Sequence, residues 1–151
     1  MSEVKDPGTY AKLPAGTRVY FGDIGAVMPD GFKLLQSADQ IGSTGEKAPL
    51  EKVTRLIDTE EKFMAALKEG PDKEFLFLDD PSDTDQEVFL LAAENNEVKV
   101  VRVEFPNGRW AEMTIALAGW ELKDLDKNKP MMVSVSGKQN AINRGVTAPA
   151  P

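Results

Sequence analysis

The feature that most constrains the fold of this 151-residue chain is a single hairpin signature. Residues 98–105 and 109–117 are both rich in β-branched and large apolar side chains, and between them stands Pro106-Asn107-Gly108. Asn-Gly between two such runs predicts a two-residue turn, because both residues tolerate the positive φ that a type I′ turn demands. Val101, Val103 and Phe105 fall on one face of the first run, and Met113, Ile115 and Leu117 on one face of the second. An antiparallel pair of this kind has one apolar face and must bury it against further strands or a helix. Gly119 then predicts a break or bulge in the second strand.

Further strands are predicted at 17–21, at 32–36 after the Pro29-Asp30-Gly31 turn, at 50–57, at 74–78 and at 131–136. In 74–78, Phe75 and Phe77 alternate with Leu76 and Leu78, the pattern of a strand covered on both faces. On the last strand Met131, Val133 and Val135 share a face. Trp110 and Trp120 share a face if their strand stays regular, and tryptophans so placed are core or interface anchors more often than a ligand platform. One helix is expected over 84–95, introduced by acids and Pro81, with Val88, Leu91 and Ala92 as its apolar stripe, widened by Phe89. Residues 59–67 are ambiguous by pattern alone and fit a short helix capped by Asp58 or Thr59. The polar stretch Ser37 to Lys47 reads as a long inter-strand loop whose one large apolar side chain is Ile41. Residues 1–16 and 137–151 contain Pro and Gly without periodicity and read as extended N- and C-terminal arms around a domain at 17–136.

Composition narrows function. There is no cysteine and no histidine. Disulfides, thiolate chemistry, imidazole metal sites and the usual neutral-pH general base are thereby excluded, leaving only carboxylate or lysine chemistry. No catalytic, cofactor-binding or metal-binding residue is expected. The Asp79-to-Asp85 cluster offers oxygen ligands but lacks the glycine and glutamate of a calcium loop, and acids before a helix explain it. Gly42-Ser43-Thr44-Gly45-Glu46-Lys47 does not match a phosphate-binding loop. No apolar run exceeds the six residues Val88 to Ala93, so no membrane partner is expected, and the amino end lacks the pattern of a secretory signal, which predicts folding in a cytoplasm. The net charge is −7, and the stretch from Asp58 to Glu87, with eleven acids against three lysines, accounts for all of it. Such a surface does not hold a phosphate backbone tightly.

The run Arg102-Val103-Glu104-Phe105-Pro106-Asn107-Gly108-Arg109, continuing to Leu117-Ala118-Gly119-Trp120-Glu121, resembles the tail tube (major tail) proteins of long, non-contractile-tailed bacteriophages. A second match is Val53-Thr54-Arg55-Leu56-Ile57-Asp58 with Lys62 to Lys68, similar to that family's Val-Thr-x-Leu-Asp segment and following Gly-Leu. Here Ala66 stands for the glycine and Ile57 is inserted. The order of elements agrees over 17–136. The resemblance implies a mainly β (α+β) fold, a β-sandwich or partial barrel with one flanking α-helix. It also implies hexameric rings that stack into a tube for DNA delivery, in the virion tail. The partners it implies are further copies of the chain, other tail proteins, and DNA that passes without tight binding. It assigns ring stacking to the terminal arms and to the loop, Ile41, Gly42, Ser43, Thr44, Gly45, Glu46 and Lys47; as the one large apolar side chain of that polar segment, Ile41 is expected to be exposed in the monomer. The C-terminal arm would dock on a neighbour through Ile142 and Val146, so that its removal would spare the fold. The alternative is another ring- or tube-forming virion or secretion-tube component, and the rivals from other classes are a small-ligand-binding β-barrel and a carboxylate-dependent hydrolase.

Overall fold

The computed structural model describes residues 4–28, 30–123 and 125–147. After a 3-10 turn at Pro7–Thr9 come β1 (Arg18–Gly22), β2 (Phe32–Leu34), β3 (Ala38–Gln40), β4 (Leu50–Lys52), β5 (Phe63–Ala65), β6 (Asp72–Leu78), α1 (Thr84–Glu94), β7 (Val98–Glu104), β8 (Arg109–Lys123) and β9 (Met132–Val146). Seven strands form one antiparallel sheet in the order β2-β1-β7-β8-β9-β6-β3, and β4 and β5 pair separately. The chain is a mainly β partial barrel with one helix. Pro29 of the expected β1–β2 turn lies outside the described residues, as do 1–3 and 148–151 of the expected arms.

The sheet curls because its apolar face closes on the helix. Phe89 of α1 packs against Phe21 of β1 at 5.1 Å and against Phe75 and Phe77 of β6 at 6.3 and 5.8 Å between ring centroids. β1 and β6 sit on opposite sides of the β7-β8-β9 centre, so one phenylalanine touching both draws the flanks together. Val101, Val103, Met113, Ile115, Val133 and Val135 fill the concavity, and all are buried. A core side chain of this size contributes about 1.5–3 kcal/mol when buried.

The helix ends as the acids before it foretell. Asp83 is the N-cap and accepts from the N–H groups of Asp85 and Gln86. Asn96, at φ 54°, ends the helix, with Glu97 N–H donating to Ala92 and Asn96 N–H to Ala93, a Schellman motif. The inward stripe differs from expectation. Phe89, Leu90, Ala92, Ala93 and Gln86 face the core, while Val88 and Leu91 stand about half exposed. The aromatic contacts fix Phe89 at the centre of the stripe. Gln86 can turn inward because its amide accepts from Asp80 N–H and donates to the Leu78 carbonyl, tying the helix start to the end of β6.

Several local expectations change. The 105–108 turn is not type I′: Gly108 alone carries positive φ, its N–H donates to the Phe105 carbonyl, and Phe105 N–H donates to Arg109. Proline cannot supply positive φ, so the turn is built with Pro106 before Asn107, and Gly108 takes the left-handed position of a three-residue hairpin loop. The predicted break at Gly119 is a bulge, with φ 114° and a register shift between Leu117 and Trp120. It reverses the facing of residues 120–123. Trp120 pairs with core residue Val135 on the helix side, whereas Trp110 pairs with Gly145 on the opposite face, so the two tryptophans do not share a face. Residues 59–67 contain no helix; β5 lies there. β6 is fully covered on one face only, since Leu76 is half-buried and Leu78 exposed. Met131 is likewise exposed.

Candidate assembly surfaces

The most exposed apolar surface is the β4–β5 hairpin. It is closed at its base by reciprocal backbone bonds between Lys47 and Glu69 and continued by Ala66 N–H to the Pro49 carbonyl and Val53 N–H to the Lys62 carbonyl. Its tip is held by Asp58, which accepts from Arg55 N–H at 2.8 Å and from the Arg55 guanidinium at 3.0 Å. Both donors hold the Asp58 carboxyl below its usual range. Leu50, Leu56, Ile57, Phe63, Met64 and Leu67 are all exposed, and Leu56 and Leu67 are 105% and 90% exposed. A lone two-stranded hairpin is marginal in water, and this one packs on no part of the described core. Contiguous apolar exposure of this kind marks a contact surface.

The preceding segment is less free than its composition suggests. Ala38 and Gln40 pair with β6 across a bulge, and Ile41 is half-buried against the core rather than exposed. Two buried side chains then pin the backbone. Lys73 donates to the Ser43 carbonyl, and Gln139 donates to the Gly45 carbonyl at 2.8 Å. Lys73 is 2% exposed, and burial lowers its pKa to about 8. Thr44 Oγ1 and Gln139 Oε1 are buried without a hydrogen-bond partner. Gly42, Ser43, Thr44, Gly45, Glu46 and Lys47 thus form a fastened root from which the hairpin springs.

The expected C-terminal arm is corrected more strongly. Residues 137–146 are the second half of β9, paired with β8 from Ile115↔Gln139 to Arg109↔Val146. Ile142 is half-buried against the chain's own core, and Val146 is exposed at the strand end. Here backbone pairing holds a segment whose side chains show no period, because a register shift near residue 140 breaks the alternation. The sheet also leaves edges unmatched. β6 pairs with β9 only as far as Lys138, and β7 pairs with β8 only as far as Ala116. Among the described residues, 140–146 and 120–122 therefore have a strand neighbour on one side alone, on opposite sides of the β8–β9 ribbon.

On the convex face three cations are paired with acids. Arg102 lies 4.4 Å from the Trp110 ring centre and donates to Glu104 and Glu112 at 2.8 and 2.6 Å. Lys138 meets Asp72 at 3.2 Å. Lys123 and Ser134 donate to Glu74 and hold its carboxyl below the usual range. Of the acidic cluster, Asp83 caps the helix and Asp80 accepts from the N–H and hydroxyl of Ser82 in the turn before it.

Residues 12–147 match the sequence profile of the phage tail tube protein family. The chain belongs to that family. This tail tube protein is a structural component of a virion tail. Its fold is similar to a subunit in the tail of an empty gene transfer agent particle refined with C6 symmetry, at 13% identity and TM-score 0.69, covering 91% of this chain and 100% of that one. The SPP1 tail tube is similar at 12% identity and TM-score 0.65, covering 86% and 76%. A chain of the sheath-tube complex of an extracellular contractile injection system is similar at 8% identity and TM-score 0.69, covering 97% and 100%. No curated protein sequence matches the tail tube protein. Of these candidate assembly surfaces, sequence reasoning missed the hairpin and the buried fastening. Exposed apolar residues without periodicity in 50–67 were the available signal for the first; nothing marked Lys73 or Gln139.

Proposed function

We propose that this tail tube protein closes into six-membered rings that stack into a hollow tube, and that the tube conducts DNA. The observation that carries this reading is the 47–69 hairpin, an apolar element that packs on no core residue among the described residues. Stacked rings supply it with a partner. Residues 41–47 act in that contact as the root of the hairpin, and Val146 meets a neighbour at the end of β9, while Ile142 is largely committed to its own core. Within a ring, the open edges at 120–122 and 140–146 face opposite sides, as a head-to-tail arrangement around a closed ring requires. The charge supports conduction without capture: the net charge is −7, and the cations Arg102, Lys123 and Lys138 of the convex face are neutralised by acids. The role is structural and not catalytic, in keeping with the absence of histidine and cysteine. Other tail proteins are expected at the ends of the tube.

Electron microscopy of the concentrated protein tests the reading directly. The wild type should give hollow tubes with six-fold end views. The double substitution Leu56→Asp and Ile57→Asp should stop growth at rings or monomers without moving the melting temperature, because both side chains are exposed in the subunit. Tubes from that variant, or a wild type that stays monomeric at all concentrations, would refute it.

A further inference from the structure

Two legs join the β4–β5 hairpin to the domain, residues 41–47 going out and 69–72 coming back. Ile41 packs on the core, but beyond it the outgoing leg is flanked by open clefts. One of about 450 Å³ lies between Thr44 and Pro71, one of about 670 Å³ between Glu46 and Ile142, and one of about 440 Å³ between Gly42 and Phe105. Gly42 and Gly45 stand at φ 70° and 138°, where a glycine backbone turns freely. Strand pairing carries the direction of the chain as far as Gln40, and the Lys47–Glu69 bridge closes the hairpin beyond. Between those two points a swing about the glycines would disturb little packing.

What spans the gap is polar and buried. Lys73 of β6 and Gln139 of β9 are 2% and 3% exposed, and they donate to the Ser43 and Gly45 carbonyls, just after one glycine and on the other. Gln139 also holds the returning leg. Its backbone N–H donates to the Pro71 carbonyl, and Gly70 lies so close that an added Cβ would come within 2.6 Å of the Gln139 carbonyl oxygen. One residue thus sits between the two legs and grips both. These are not the contacts that stability alone would select. Burial lowers the Lys73 pKa to about 8, and Gln139 Oε1 stays buried without a hydrogen-bond partner among the described residues. Apolar residues of similar size would serve a core as well or better, and buried polar groups are best attested where they specify one arrangement among several. Here the quantity that packing leaves unspecified is the angle of the hairpin.

We infer that Lys73 and Gln139 are positioning residues that fix the direction of the hairpin in the free subunit, so that an added ring meets an element already aimed. The second half rests on the tube reading above; the first does not. A contact element ordered beforehand spares the ordering cost at each addition and lowers the concentration needed for growth. Because the chain has no cysteine, nitroxide labels can be placed at Glu60→Cys, near the hairpin tip, and Glu87→Cys on α1, both exposed. Pulsed dipolar EPR on the full-length protein, below the concentrations that give tubes, reads the spread of distances between them. The expected result is one narrow distribution in the wild-type background and one about twofold broader with Lys73→Met or Gln139→Met, each of which keeps the reach of the side chain and removes its donor. Gln139→Met supplies the test should Lys73→Met fail to fold. The urea midpoint of Lys73→Met should not fall at pH 7, which separates loss of aim from loss of fold. Without labels, each variant should raise the concentration needed for tubes about tenfold. A broad distribution in the wild-type background, or narrow ones in the folded variants, would overturn the inference whether or not tubes form. Broadened variants that assemble at the wild-type concentration would overturn its second half. A narrow wild-type distribution in a protein that never forms tubes would remove the tube reading and leave the positioning role standing.

Discussion

Replacing Lys73 with Met should stabilise the protein near neutral pH. The Lys73 amine is buried, its one hydrogen-bond acceptor is the Ser43 carbonyl, and its pKa falls from 10.5 to about 8. A charged group held that far below its solution value costs the native state about 3 kcal/mol at pH values under 8. Methionine keeps the aliphatic reach of the side chain beside Phe75 and removes the charge. Against this, the Ser43 carbonyl loses a donor, which costs about 1–2 kcal/mol. The expected net gain at pH 7 is about 1–2 kcal/mol. The pH dependence fixes the sign independently. Because the folded pKa lies below the unfolded one, the unfolded chain binds more protons between pH 8 and 10.5. Wild-type stability attributable to Lys73 therefore rises with pH across that window and is lost as pH falls through 8. Urea titrations of wild type and variant at several pH values from 7 to 10.5 measure both effects, and the stability difference should narrow and then reverse toward high pH. A variant less stable than wild type at pH 7, with a difference independent of pH, would show that the buried amine carries no desolvation cost and would refute the reasoning.

Ile41→Asp should lower monomer stability by about 1–3 kcal/mol, read as a fall in urea midpoint, since Ile41 packs against the core. Truncation after Gly137 should abolish cooperative unfolding, because it removes the β9 residues that pair with β8 from 109 to 116. Gly145→Ala should cost about 1–3 kcal/mol and shift the Trp110 emission, because an added Cβ would lie 2.5 Å from the indole ring.

The hairpin of β7 and β8 was legible because its information is local: alternating apolar residues on both strands and a turn whose glycine is needed at positive φ. The helix position was legible for the same reason, through the acids and Pro81 before it and Asn95 and Asn96 after it. Its facing was not. Val88 and Leu91 form as good a stripe as Leu90 and Ala93 by spacing alone, and the choice is made by Phe21, Phe75 and Phe77, which reach Phe89 from strands far apart in sequence. The second half of β9 was hidden for a related reason. Gln139, Asn140, Asn143 and Arg144 carry no strand pattern, and their conformation is dictated by the backbone of β8 alongside.

The same distinction separates the core from the assembly surfaces. A core residue is recognisable when its burial follows from periodicity, and the strands at 98–105 and 109–117 satisfy that test. In the β4–β5 hairpin Leu50, Leu56, Ile57, Phe63, Met64 and Leu67 follow no period, since among the described residues no core residue packs against them to impose one. A single chain that exposes so much apolar surface on an element too small to be stable alone is incomplete as a monomer. Its fastening is correspondingly strong where the hairpin leaves the domain: Lys73 and Gln139 commit buried polar groups to the carbonyls of Ser43 and Gly45, at an energetic cost that the fold of the isolated subunit does not require. That cost is understandable if the direction of the hairpin matters more than the stability of the subunit, because a projecting arm must meet its receptor at a fixed angle at every repeat of a growing tube.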